Sequence, residues 1–256
     1  MSRLIFLLMI FITGSCSSWK IKNLQSESEQ IIVINSNIDG KGPEITLEFY
    51  KGKSFYYPLM AVWIEDESGL YIQTLFVPES VATGIFKYGK QAKNKWIPAP
   101  RRAPQTLPYW SHKRGVVASD GLYMPEPENP VADAYTGATP VKSFVLQSRA
   151  DNELPDKFRL LFEINQNWDW NEHWTNDKFP EDENYKCSCQ PAVVYEALIN
   201  TMYPERSYLM KPIGHSHYSG KTGELFPDLS SLTTALQIAD SIVIRLKLAK
   251  GDSQLP

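Results

Sequence analysis

Two runs, Leu59-Met60-Ala61-Val62-Trp63-Ile64-Glu65 and Leu70-Tyr71-Ile72-Gln73-Thr74-Leu75-Phe76-Val77, joined by Asp66-Glu67-Ser68-Gly69, decide the fold of this chain. Both are rich in apolar, β-branched and aromatic residues and have strand length. The four residues between them are turn formers, so the pair reads as a β-hairpin. Trp63 and Ile64 fall in mid-strand, where large apolar side chains belong to a core. Just upstream, Glu44-Ile45-Thr46-Leu47-Glu48-Phe49 alternates, which puts Ile45, Leu47 and Phe49 on one face of a half-buried strand. Residues 31–35 form a shorter apolar, β-branched run.

Downstream the same punctuation continues. Residues 143–147 and 158–165 read as strands, the second with Phe158, Leu160, Phe162 and Ile164 on one face. Residues 192–199 and 208–213 follow, with Pro204-Glu205 in the turn between them. Residues 241–248 close the chain with Ile242, Ile244, Leu246 and Leu248 alternating. Between residues 228 and 239, Leu229, Leu232 and Leu236 recur at helical or loop spacing. The expectation is an all-β fold, an immunoglobulin-like antiparallel β-sandwich with long loops, formed by residues 30–256 as one domain.

Residues 78–130 are the least regular part. Within them the Pro-rich, basic and aromatic stretches 96–104 and 107–114 rule out a regular helix and argue against central strands. They are expected to form a long ordered loop packed by Trp96 and Trp110. Arg101, Arg102, Lys113 and Arg114 in it either receive a phosphate or carboxylate or simply face solvent. Residues 124–130, with Pro125, Pro127 and Pro130, read as an extended linker.

The N-terminus reads as an address. Arg3 is followed by an unbroken apolar run from Leu4 to Ile12, then Thr13-Gly14-Ser15-Cys16. That run is too short for a permanent membrane span and fits a signal peptide over residues 1–15. Small residues before Cys16 resemble a bacterial lipobox, which implies a lipidated Cys16, a polar tether over 16–29 and a cell-envelope location, periplasmic or outer-surface. Removing residues 1–15 takes away Arg3 alone among charged residues and moves the net charge from −3 to −4. With no basic stretch of the required size, nucleic acid is not an expected partner.

The most specific motif is Asp133-Ala134-Tyr135-Thr136-Gly137-Ala138-Thr139, which fits D-x-x-[S/T]-G-A-T. A chance match in a chain of this length is about one in a thousand. It resembles the target at which bacterial flavin transferases esterify FMN, through its phosphate, onto the last threonine. That resemblance implies covalent FMN on Thr139, with Asp133, Thr136, Gly137 and Ala138 as the recognised neighbours. It also implies a flavin transferase and a redox partner. Gly137 permits φ > 0 and close backbone approach. The same residues also compose an ordinary surface turn ended by Pro140. Over residues 44–78, and above all in Ala61-Val62-Trp63-Ile64-Glu65-Asp66 with Gly69 and Thr74-Leu75, the chain resembles predicted periplasmic proteins of domain of unknown function 2271. Those look like immunoglobulin-like sandwiches, and some occur beside flavin-transfer machinery.

Two further clusters are candidates. In Asn165-Gln166-Asn167-Trp168-Asp169-Trp170-Asn171-Glu172-His173-Trp174, three tryptophans alternate with polar groups. They suit stacking on an isoalloxazine or a sugar, with Asp169, Glu172 and His173 able to hold a cation, or they cap an open sandwich end. Cys187 and Cys189 form either a small disulfide or, with His215 and His217, a four-ligand metal set. No Gly-rich phosphate loop, nucleophile elbow or paired-carboxylate signature is present, so the chain is not expected to be an enzyme. The expected classes are an electron carrier, a ligand-binding module for a sugar, peptide or metal, or a structural lipoprotein of a membrane complex.

Overall fold

The computed structural model describes residues 31–131 and 135–247. In chain order it runs β1 (Ile32–Ser36), β2 (Glu44–Lys51), β3 (Leu59–Asp66), β4 (Tyr71–Pro78), α1 (Glu79–Thr83), β5 (Ile85–Ala92), β6 (Lys95–Pro100) and α2 (Pro108–Lys113). It continues through β7 (Tyr135–Gly137), β8 (Phe144–Arg149), β9 (Lys157–Asn165), α3 (Glu183–Ser188), β10 (Val193–Asn200), β11 (Tyr208–Leu209), β12 (Lys211–His215) and β13 (Ala239–Lys247). A five-stranded sheet has the order β1-β8-β2-β13-β11 and a six-stranded sheet the order β12-β10-β9-β3-β4-β7. Neighbours are antiparallel except the edge pairs β1–β8 and β4–β7. The expected signal peptide, tether and Cys16 lie outside the described residues.

The hairpin forms as its sequence dictates. Asp66 Oδ1 accepts the amide hydrogens of Ser68 (2.8 Å) and Leu70 (2.9 Å). Gly69 turns the chain at φ 88°, a conformation that favours glycine. The two sheets face each other across an apolar interior. Phe49 of β2 stacks on Phe144 of β8 within its own sheet (5.0 Å between centroids) and on Phe162 of β9 in the other (5.7 Å). Ile45, Leu47 and Phe49 are buried there, as are Phe158, Leu160, Phe162 and Ile164. The chain is an all-β sandwich.

The six-stranded sheet is buried on its outer face as well. Met60, Val62 and Ile64 of β3 enter the sandwich, whereas Ala61 and Trp63 enter a second core with Leu161 of β9 and Val194 of β10. That core is closed by α1 and α2, through Val81, Ala82, Tyr109 and Trp110. A strand covered on both sides has no polar face to alternate with, which is why residues 59–64 read as a continuous apolar run.

Residues 96–114 therefore depart from the loop expected of them, because they contain most of β6 and all of α2. With α1 and β5 before them they form a hairpin and a packed lid over the sheet. Proline does not prevent this. Pro108 sits at the start of α2, where its missing N–H has no partner to lose. Pro98 and Pro100 lie in a two-stranded ribbon, where every strand is an edge. The ribbon turns at Lys93-Asn94, both with positive φ (46° and 62°), the geometry of a tight two-residue hairpin. Of the two tryptophans expected to pack this stretch, Trp110 is fully buried but Trp96 is exposed. The expected extended linker instead contains a turn, closed by the amide of Asn129 on the carbonyl of Glu126. Residues 208–213, expected as one strand, split at Met210 into β11 of one sheet and β12 of the other.

Candidate functional site

The flavin-target-like motif enters the structure at the edge of the six-stranded sheet. β7 pairs with β4 in parallel, with Phe76 opposite Tyr135, Val77 opposite Thr136 and Pro78 opposite Gly137. The chain leaves the strand at Ala138, which is exposed, and Thr139, which is half-buried, before Pro140 is buried again. The motif is thus a three-residue edge strand followed by a short irregular exit, rather than a loop throughout. Asp133 lies outside the described residues, and Thr136 is described in its backbone only. Gly137 does not adopt positive φ, and a Cβ built on it would meet no atom within 4 Å. Nothing among the described residues requires glycine there.

The four cations expected to be available for an anion are engaged internally to different degrees. Arg102 grips both oxygens of Asp120 (2.5 and 2.8 Å). Lys113 donates to the carbonyl of Gly69 (2.8 Å) and lies 3.4 Å from Glu65, a fully buried carboxylate. Arg114 covers the Trp110 ring, with its Nη1 buried and without a partner. Arg101 Nη2 approaches Cys187 Sγ at 3.1 Å.

The tryptophan stretch divides. Trp168 and Trp170 are exposed, whereas Trp174 is buried and its indole N–H donates to Ser231 Oγ (3.0 Å). Asp169 is buried: one carboxylate oxygen accepts from the Thr234 hydroxyl and the other has no partner. Burial pushes its carboxyl up, against the pull of the Thr234 hydroxyl. Asp169, Glu172 and His173 do not converge. Among the described residues no group of three or more His, Cys, Asp and Glu side chains has metal-binding geometry.

The same observation corrects the four-ligand set of Cys187, Cys189, His215 and His217, which the fold does not assemble. Cys187 and Cys189 are free thiols. Cys189 is buried and donates to the carbonyl of Lys186, and burial raises its thiol to about 11, with Asp169 and Cys187 adding to the effect. A thiol so far from ionising is a poor metal ligand. His215 donates through Nδ1 to the Ser216 carbonyl (2.8 Å), and His217 accepts the Ser219 amide at Nδ1 (3.1 Å). Burial holds both imidazoles below their ordinary range, so both are neutral near pH 7.

What the fold does bring together is a groove of about 800 Å³. His173 and Trp174, His215 and Phe226, and Asp228 with Ser231 line it. Phe226 and His215 exchange both backbone hydrogen bonds (2.8 and 2.9 Å), which holds their rings stacked at 5.3 Å. Asn171 shapes the near wall: its side-chain oxygen accepts the amides of His173 and Trp174, and its nitrogen donates to Ser231 O. With Nδ1 of His215 committed as a donor, Nε2 carries the lone pair. Sequence reading picked out His173, Trp174 and His215 but missed Phe226, Asp228 and Ser231. Those are polar or isolated aromatic residues, and the spacing pattern in that stretch is carried by Leu229, Leu232 and Leu236 instead. Compared with known proteins, the chain matches no family model, no curated protein and no solved structure.

Proposed function

We propose that this chain is an extracytoplasmic lipoprotein of a bacterial cell envelope that carries FMN esterified to Thr139 and serves in electron transfer. The supporting observation is the exit from β7. Thr139 is part-exposed beside an exposed Ala138, and Gly137 is a glycine that the described fold does not require. A glycine with open space around it leaves room for another enzyme's backbone to approach the acceptor. The resemblance of residues 44–78 to predicted periplasmic proteins, some of which occur beside flavin-transfer machinery, points the same way.

Attachment needs no catalytic group from this chain. The Thr139 hydroxyl oxygen bonds to the flavin-side phosphorus of FAD, the pyrophosphate bond breaks, AMP leaves, and the hydroxyl proton passes to a base on the transferase. The redox chemistry is the cofactor's own. This chain's part is to hold the acceptor at a sheet edge, where a partner can reach it. The test is wild type beside Thr139→Ala, each incubated with a flavin transferase and FAD. In-gel flavin fluorescence is expected for wild type and absent in the variant. A dark wild type, with an established acceptor labelling in the same reaction, would overturn the reading.

A second reading, a ligand-binding module, is favoured by the groove between Trp174 and Phe226. It predicts that titrating small saccharides and short peptides changes tryptophan fluorescence in wild type but not in Phe226→Ala. No response to either class removes it.

A further inference from the structure

Acidic residues are missing from one long stretch of a chain that is acidic overall. Between Glu79 and Asp120 there is no Asp or Glu, yet Lys87, Lys90, Lys93, Lys95, Arg101, Arg102, Lys113 and Arg114 all fall there. Four of these eight, Lys87, Lys90, Lys93 and Lys95, sit on the ribbon β5–β6. The ribbon pairs with neither large sheet and contains no fully buried residue. Among the described residues none of Lys87, Lys90, Lys93 and Lys95 has a carboxylate within ion-pair distance. Lys87 instead lies over the Tyr88 ring at 5.4 Å. Two large aromatic rings on the ribbon, Tyr88 and Trp96, are 59% and 55% exposed.

We infer that the β5–β6 ribbon docks on an anionic lipid surface. The register supplies the geometry. Lys90 stands opposite Ile97 and Lys95 opposite Ala92, so these two lysines share a face, while Trp96, opposite Gln91, lies on the other. Lys93 is in the turn. Cations therefore line one face and the turn, and a tryptophan lies on the other face. A layer of headgroups can close around such a finger, whereas a rigid protein partner would meet one face only. Lysine stems lie along apolar surface with their heads in water, and Trp and Tyr rings favour the headgroup depth. The lysines supply the attraction to anionic lipid, which falls off within a Debye length. This stands beside the lipid anchor expected at Cys16 and does not need it: an acyl chain binds neutral and anionic bilayers alike, and the ribbon tells them apart.

The experiment is flotation of the full chain with vesicles of phosphatidylcholine alone, and of phosphatidylcholine with phosphatidylglycerol, at low and high salt. Wild type is compared with a variant in which Lys87, Lys90, Lys93 and Lys95 are all changed to Gln, each also made with Cys16→Ser. Phosphatidylglycerol is expected to strengthen binding about tenfold or more at low salt. The gain should vanish at high salt and in the lysine variant, and should survive Cys16→Ser. The ribbon contributes no core residue, so an unchanged unfolding midpoint shows that the lysine variant is folded. No gain from phosphatidylglycerol, or a gain the lysine variant keeps, overturns the inference. Binding that Cys16→Ser abolishes on both vesicle types assigns attachment to the anchor alone and likewise overturns it. Loss of the charge-independent part only separates the two and leaves the ribbon standing.

Discussion

Glu163 and Glu65, both fully buried on the outer face of the six-stranded sheet, tie the lid to the sandwich in opposite ways. Glu163 accepts the amide hydrogens of Tyr109 (3.2 Å) and Trp110 (2.8 Å) at the start of α2. Burial pushes its carboxyl from the ordinary 4.5 up to about 8, outweighing those bonds. Because folding raises this pKa, the stability Glu163 contributes is fully present below about 4.5 and is lost as pH rises through about 8. His215 and His217, with pKa lowered by burial, act the other way at lower pH, but they are the same in a Glu163→Gln variant. The unfolding free energy of Glu163→Gln minus that of wild type is therefore expected to grow by about 4 kcal/mol between pH 5 and pH 9. Urea titrations giving a flat difference would refute the assignment. Glu65 is instead paired, accepting from Trp63 Nε1 (2.9 Å) and Arg159 Nη1 (2.9 Å) with Lys113 nearby. Glu65→Ala strands the indole N–H and two cations, one of which keeps Glu196 as a partner. The expected cost is about 3 kcal/mol. A loss under about 1 kcal/mol would mean water replaces the carboxylate.

Elements within one proline-rich stretch differ sharply in what they contribute. In α2, Trp110 is fully buried, donates its indole N–H to Thr74 Oγ1 (2.9 Å) and carries Arg114 on its ring. Trp110→Ala should cost about 3–5 kcal/mol in denaturant titrations. The ribbon stands off the body, so replacing residues 87–98 by a short Gly-Ser link should shift the unfolding midpoint by no more than a surface substitution does. A large fall would place the ribbon in the core. Sequence reading treated the whole stretch alike because its signals are local. Alternation in residues 44–49 and turn chemistry at Asp66–Gly69 need no distant partner, and both strands formed as written. The lid has no repeating pattern of its own. Its partners Trp63, Leu161 and Val194 are visible only once three strands lie side by side. The groove was hidden for the same reason, since its walls come from residues 171–174, 215 and 226–233. Met210 was misread because no glycine stands between Tyr208 and Ile213 to mark a break, and only the sheet assignments show that the chain changes sheets there.

At the scale of the molecule, the sandwich and lid share strands rather than a hinge. β3, β9 and β10 each supply side chains to both cores: Val62 and Trp63, Leu160 and Leu161, Val193 and Val194. Opening the lid would expose Trp63 and leave Glu163 and Glu65 without their partners from α2, so a state with an intact sandwich and a detached lid has little to hold it. The expectation is one cooperative transition. Tryptophan fluorescence weights the lid through Trp63 and Trp110, and far-ultraviolet circular dichroism weights the strands. The two probes should give coincident curves in urea. Trp110→Ala should move both to lower urea by the same amount without separating them. Fluorescence falling ahead of circular dichroism would show the lid opening alone. The apolar outer face of the sheet would then be accessible in a populated state, and the two cores would be independent folding units.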